Sequence, residues 1–243
     1  AFRITEQPDS NGLVLDYIVA EGNKKIQKDL NHRDKLWYDG AAVWPAPQST
    51  HPATTFLKEV IREELGEKNS RDDIGKIMLR QKNEVLNAKA NEGMHELYAL
   101  SNKLQVMYRN PRLLGLQLEN YTDQGGAHGL YVVSYTNIDL EQQRKLDIID
   151  VMDTVAASRV LGRLLQNEFR RAYKLKKEEK IDDYLFNDTI PVSNNFLVTG
   201  KGITFSYVPY EIGPYVMGNI ALFIAFKDIQ VYLRPEFRKL VSR

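Results

Sequence analysis

Cysteine is absent from the chain. That excludes a disulfide framework, thiol catalysis and any zinc site built on cysteine. Long hydrophobic runs are missing too: the longest, 220–226, is far shorter than the roughly 20 residues that cross a bilayer. Neither sign of charge prevails, since 33 basic residues stand against 32 acidic ones and the formal net charge is +1. No global field therefore argues for nucleic acid or for an acidic partner. Histidine is scarce. His32, His51, His95 and His128 show no ligand spacing with one another, so neither a metal nor a cofactor is expected. No Gly-x-Ser-x-Gly elbow occurs, which removes the usual signal for a serine nucleophile.

What is present is a globular chain of 243 residues, 43% of them hydrophobic. It is long enough for one large domain or two intimately packed subdomains. Leu114, Leu116 and Leu118 alternate with polar or small residues, as do Leu130, Val132, Ser134, Thr136 and Ile138 with their neighbours, giving two half-buried strands. Between them lies a loop, 122–129, where Gly125, Gly126 and Gly129 allow positive φ or close approach. Further strands are expected over 13–19, 96–109, 145–151, 196–198, 203–208 and 220–226, with a hairpin turn at 200–202. Helices are expected over 26–37, 55–65, 70–93 with a capping box from Ser70 to Asp73, and 154–177 capped by Asp153 or Thr154. Asp228 is expected to cap a short terminal helix with Ile229 and Leu233. Strand, helices, sheet, long helix and sheet make an α+β fold. Its antiparallel sheet carries helices packed on one face, and one long helix separates the two motif-bearing strand regions. The expected domains are 1–95, a strand plus helical subdomain, and 96–243, an α+β domain, packed as one unit.

Candidate chemistry is sparse. His128, flanked by glycines, is open to close approach and titrates near neutral pH, yet a structural imidazole bonded to loop backbone accounts for it as well. The sequence 125–129 lacks the lysine and following helix of a phosphate-binding loop. Glu119, Asp123, Asp139 and Glu211 could converge as paired carboxylates, although solvated surface acids are commoner. The basic residues between 159 and 180 are interrupted by Glu168, Glu178 and Glu179, the pattern of a wet helix face. The stretch 207–218 gathers Tyr207, Tyr210 and Tyr215 with Pro209, Pro214, Gly213 and Gly218. Such tyrosines serve either as a platform for glycan or peptide or as corner packing.

Two of these stretches together carry a resemblance. Thr-Asp-Gln-Gly-Gly-Ala-His-Gly at 122–129 with the strand at 135–140, then Tyr-Glu-Ile-Gly-Pro-Tyr-Val-Met-Gly at 210–218, resembles the extracytoplasmic domain shared by RsiV-type anti-sigma factors and PdaC-type peptidoglycan deacetylases. The likeness covers about 96–233, and 13–38 looks like the segment that usually precedes that domain. Residues 45–93 depart from it. The resemblance implies residence in the periplasm or at the cell surface, often as a lipoprotein or on a protein anchored by an N-terminal segment. It also implies lysozyme binding in the anti-sigma members and a separate catalytic domain in the deacetylases. The motif positions carry over as His128, Tyr135, Tyr210, Glu211 and Tyr215 for binding, with Gly125, Gly126, Gly129, Gly213, Pro214 and Gly218 shaping the fold.

The resulting expectation is a non-catalytic cell-envelope binding or sensing module. Its partner would be an extracellular protein such as lysozyme or cell-wall glycan, with no nucleic acid and with membrane contact only through a removed N-terminal anchor. The alternative is a hydrolase acting on cell-wall glycan through His128 or paired carboxylates.

Overall fold

A computed structural model of the chain describes residues 2–5, 10–29, 32–91 and 94–242. Its Cα trace separates into two compact units, 1–105 with 118–131 and 106–117 with 132–243. The expected division after residue 95 falls inside the first of these. The architecture is α+β, dominated by antiparallel pairing.

In the first unit β1 (Phe2–Thr5), β2 (Leu15–Lys25) and β3 (Lys35–Pro45) pair antiparallel in that order, β2 with β3 from Leu15 opposite Pro45 to Lys25 opposite Lys35. This corrects the helix expected over 26–37. Ile26 and Trp37 do have helical spacing, but Leu36, Tyr38, Gly40 and Ala42 are the buried positions, a period of two imposed by the ladder with β2. Leu30, part of that expectation, lies outside the described residues.

Helices α1 (Thr54–Glu64) and α2 (Ile74–Leu86) pack on β3, and α2 also on β2, through Leu57, Val60 and Ile61 and through Ile74, Ile77, Met78 and Val85. The cap of α2 is Asp73 itself, accepting from the Lys76 amide at 3.0 Å, while Ser70 Oγ accepts from Asp72 N. The helix ends at Leu86 rather than at Gly93, which lies outside the described residues. A two-residue pair follows, β4 (Ala90–Asn91) with β5 (Met94–His95). Strand β6 (Ala99–Arg109) then runs parallel to β3, with Trp37 opposite Ala99 and Ala42 opposite Leu104. With β7 (Leu113–Asp123), β8 (Leu130–Asp139) and the short β9 (Arg144–Lys145), the strand order is β1-β2-β3-β6-β7-β8-β9.

In the second unit, the strand expected over 145–151 is reduced to β9 and replaced by α3 (Ile148–Val151), because Asp147 and Asp150 cap a helical turn, with Asp150 Oδ2 accepting from Asp147 N at 2.9 Å. Helix α4 (Thr154–Ala172), capped by Asp153, stops short of residue 177. It lays Ala157, Leu161, Leu165 and Phe169, all fully buried, toward the antiparallel sheet β10 (Phe196–Val198), β11 (Gly202–Tyr207) and β12 (Ile220–Ala225). Phe196, Phe205, Tyr207, Leu222 and Phe237 complete this core. The chain ends in α5 (Phe226–Ile229), whose N-cap is Ala225 rather than the expected Asp228, and α6 (Pro235–Val241), which sequence reading missed. Among the described residues no helix is long and apolar enough to cross a membrane.

Candidate functional site

The glycine loop between β7 and β8 is built around Arg33. Its Nε and Nη2 donate to the two oxygens of Asp123 at 2.8 Å each, and Nη2 donates also to the Gly126 carbonyl at 2.8 Å. The guanidinium lies 4.8 Å from the centre of the Tyr98 ring. Tyr98 in turn donates its hydroxyl to Asp29 and accepts from His95 N, and its backbone amide donates to Asp123 O at 2.8 Å. Asp123 Oδ1 also accepts from Gly125 N, so one carboxylate fixes both the cation and the start of the turn.

Two of the glycines are required here. Gly125 has φ +83°, and a Cβ at Gly129 would sit 2.3 Å from the hydroxyl of Tyr121, whose ring stacks on Trp37 with centroids 5.5 Å apart. Hydrogen bonding to Asp123 raises the affinity of Arg33 for its proton above the ordinary value, against the effect of desolvation. Burial, followed by the bond to Asp29, raises the pKa of Tyr98.

His128 stands exposed at the rim of this loop, with Nδ1 3.1 Å from the Gly129 carbonyl oxygen. The four candidate carboxylates each serve their own surroundings. Asp123 binds Arg33, and Glu119 reinforces the charge of Lys103, whose ammonium is held 2.7 Å from Asp39. Asp139, buried, accepts from Glu141 N and Gln142 N and closes the turn after β8. Glu211 accepts from Val208 N at 2.8 Å, while its own amide donates to Val208 O. Among the described residues no group of three or more His, Asp or Glu is placed to hold a metal ion.

The tyrosine loop belongs to the second unit. Glu211 ties its beginning, Gly213 is buried against Leu185, and a 3-10 turn over Tyr215–Met217 closes it with Met217 N donating to the carbonyl of exposed Pro214. Gly218 ends it at φ +62° and donates to Tyr215 O. Tyr210 is held at φ +70°, a region that non-glycine residues enter only under constraint. Its ring is 57% exposed and lies 5.7 Å from that of half-buried Tyr215, beside a Val216 that is 86% exposed. Tyr207, by contrast, is buried with its hydroxyl on Pro191 O, and burial, followed by the charge of Glu211, raises its pKa.

Tyr135, in β8, gives its amide to Asn195 Oδ1, and Asn195 Nδ2 donates to Val133 O, both at 2.9 Å. Asn219 Oδ1 accepts from Val133 N. Side-chain amides thus occupy backbone groups that a further strand would otherwise use. Sequence reading found neither these asparagines nor Arg33, Asp29 and Tyr98. Only Asp123, two residues before a glycine pair, carried a local signal, that of an Asx turn.

Comparison with known proteins adds the following. The family model described as Deacetylase PdaC matches residues 6–131, and the model of DUF3298, a protein family of unknown function, matches residues 147–227. A crystal structure of a DUF3298 family member from Bacteroides fragilis aligns over 96% of this chain and 100% of its own, with TM-score 0.75 at 20% identity. A DUF3298 family protein from Pseudomonas aeruginosa aligns over 93% and 96%, with TM-score 0.69 at 16% identity. At such identities the likeness speaks for the fold. No curated protein sequence matches the chain.

Proposed function

This chain belongs to the family described as Deacetylase PdaC, and from that premise we propose that it is a non-catalytic binding or sensing module of the bacterial cell envelope, outside the cytoplasm, whose ligand is a lysozyme-like protein or peptidoglycan. The observation that carries the reading is the conformation of Tyr210. A left-handed backbone at a tyrosine costs about 1 kcal/mol, and here it turns an aromatic ring outward, beside Tyr215 and Val216, instead of into the core. Constraint of that kind gathers at ligand-contacting positions. Flat rings with hydroxyl handles suit both the C–H faces of sugars and a protein surface. His128 and Tyr135 enter the proposal as loop and strand positions on which further contacts could be built.

Calorimetric titration of the chain with lysozyme and with peptidoglycan fragments tests the reading. Saturable heat with one of them, lost in Tyr210→Ala, is expected. Silence from both removes the proposal. Peptidoglycan turnover that vanishes in a folded His128→Ala variant would favour the hydrolase instead.

A further inference from the structure

Exposed apolar residues gather at another place in the second unit, on segments that share no residue with the tyrosine loop. Residues 149–155 and 231–234 run antiparallel beside one another. Asp153 N donates to Tyr232 O and Arg234 N to Val151 O, each at 2.9 Å, with a β-bridge between Met152 and Leu233. Ile148, Val151, Met152 and Leu233 are buried in the core of the unit. Ile149, Val155 and Val231 instead stand in solvent, 61%, 84% and 80% exposed. Single aliphatic residues on a surface are ordinary, but three on two paired segments form a patch, and such patches mark interaction surfaces.

Positive charge borders the patch. Arg159 and Arg163 follow Val155 at successive four-residue steps of α4, which sets the three on one stripe of the helix. Both arginines are exposed, and among the described residues no ion pair engages either. Arg234 is exposed as well, with Nε donating to Ile149 O at 3.3 Å. The acids on the same segments are committed: Asp150 pairs with Arg144 at 2.9 Å, and Asp153 caps α4. Glu236, exposed in the first turn of α6, tempers the charge of Arg234 and leaves Arg159 and Arg163 unopposed.

Branched aliphatic side chains with no ring, hydroxyl or amide among them are poor anchors for a protein partner, whose binding energy concentrates in Trp, Tyr and Arg. A second copy meeting this surface about a two-fold axis would set cations against cations. Acyl chains, by contrast, receive aliphatic side chains without asking for hydrogen bonds, and lipid phosphates attract the arginines around them. From the three outward aliphatics and their arginine border we infer that this surface docks on a lipid bilayer carrying anionic headgroups. The inference goes beyond the function proposed above and uses none of its residues. Phe186 supplies an internal comparison. It is 55% exposed, yet residues 181–218 hold Asp182, Asp183, Asp188 and Glu211 against Lys201 alone, so anionic headgroups are disfavoured there.

The test is co-sedimentation of the full 243-residue chain with vesicles of phosphatidylglycerol and phosphatidylcholine in equal parts, and with vesicles of phosphatidylcholine alone. Binding to the anionic vesicles is expected, weakened roughly ten-fold in Val155→Asp and in Val231→Asp, roughly five-fold in Arg159→Gln, and unchanged in Phe186→Ser. No binding, equal binding to both kinds of vesicle, or binding that survives Val155→Asp overturns the inference. An equal loss in Phe186→Ser overturns it too, since the contact would then not be confined to this surface. Self-association by sedimentation velocity that disappears in Val155→Asp would give the patch to a second copy and overturn it as well. The substituted side chains are all exposed, so the variants do not depend on repacking the core.

Discussion

Arg33 and Asp123, 90 residues apart in sequence, meet in a two-pronged ion pair whose side chains are only 17% and 13% exposed. Shielding from solvent separates it from pairs such as Lys68 with Glu63, exposed 74% and 41%, where salt and side-chain entropy cancel most of the attraction. The same guanidinium holds Gly126 O and lies over Tyr98, so one side chain connects the glycine loop to the segment before β3.

Arg33→Ala is expected to lower stability by about 1–2 kcal/mol and to speed exchange of the Gly125 amide, which depends on the Asp123 carboxylate held by Arg33. Arg33→Lys should recover less than half of the loss, since an ammonium cannot reproduce the planar fork. Urea unfolding and hydrogen exchange measure both. An unchanged Gly125 exchange rate in Arg33→Ala would show that the loop holds its shape without the pair.

Tyr210 allows stability and binding to be separated. Glycine adopts φ +70° without a Cβ penalty, so Tyr210→Gly is expected to leave the unfolding free energy unchanged or raise it by up to about 1 kcal/mol, although the larger freedom of glycine in the unfolded chain opposes the gain. The ring beside Tyr215 is lost at the same time. Ligand affinity should therefore fall while the fold is kept. A clear destabilisation by Tyr210→Gly would mean instead that the ring's packing on Tyr215 holds the loop.

Asn137 is 2% exposed, donates to Phe196 O at 2.7 Å and accepts from Val198 N at 2.8 Å. Asn137→Ala leaves a buried carbonyl and a buried amide without their partner, at a cost of about 2–4 kcal/mol. Asn137→Asp restores the acceptor for Val198 N but sets a carboxylate oxygen against Phe196 O, and should be no better than alanine at neutral pH. Thermal unfolding of the two variants decides this. Asn195→Ala, acting on half-buried backbone groups, is expected to cost less than Asn137→Ala.

The contrast between these residues shows what was legible in the sequence. The stripe of α4 was readable because the helix buries one face, and burial writes its period into the chain. β7 and β8 were found as strands, but their burial does not follow the expected alternation: β7 buries 113–117 without a break, and β8 buries Val133 and 137–139 while Leu130 is exposed. The segment 26–37 misled because so few apolar residues support either period, and the choice fell to pairing with β2, a partner that local spacing does not reveal. Pro235 at the first turn was a usable start signal for α6. Arg33 and Asn137 had none, since an isolated polar residue becomes informative only when its distant partners are known. The two loops were visible through their glycines and prolines. Arg33's hold on one and the outward ring of Tyr210 on the other were not.

Two buried phenols give the protein an alkaline limit. Tyr38 donates to Gln81 and Tyr207 to Pro191 O, and burial raises both pKa values well above the ordinary 10. In the unfolded chain these phenols ionise near 10, whereas in the folded chain they keep their protons. Above that pH the native state therefore binds more protons than the unfolded state, and stability falls as pH rises; the contribution is complete below pH 10 and is lost on the way to the folded values. The slope approaches about 1.4 kcal/mol per pH unit for each phenol. Burial shifts Tyr98 in the same direction, so the double variant Tyr38→Phe and Tyr207→Phe should flatten the decline without abolishing it. Urea midpoints taken between about pH 9 and 11.5, alongside phenolate absorbance, provide the measurement. Phenylalanine also forfeits two hydrogen bonds, which lowers stability at every pH, so the slope and not the absolute value carries the result. A slope equal to that of the unsubstituted protein would show that these two phenols do not govern the alkaline transition.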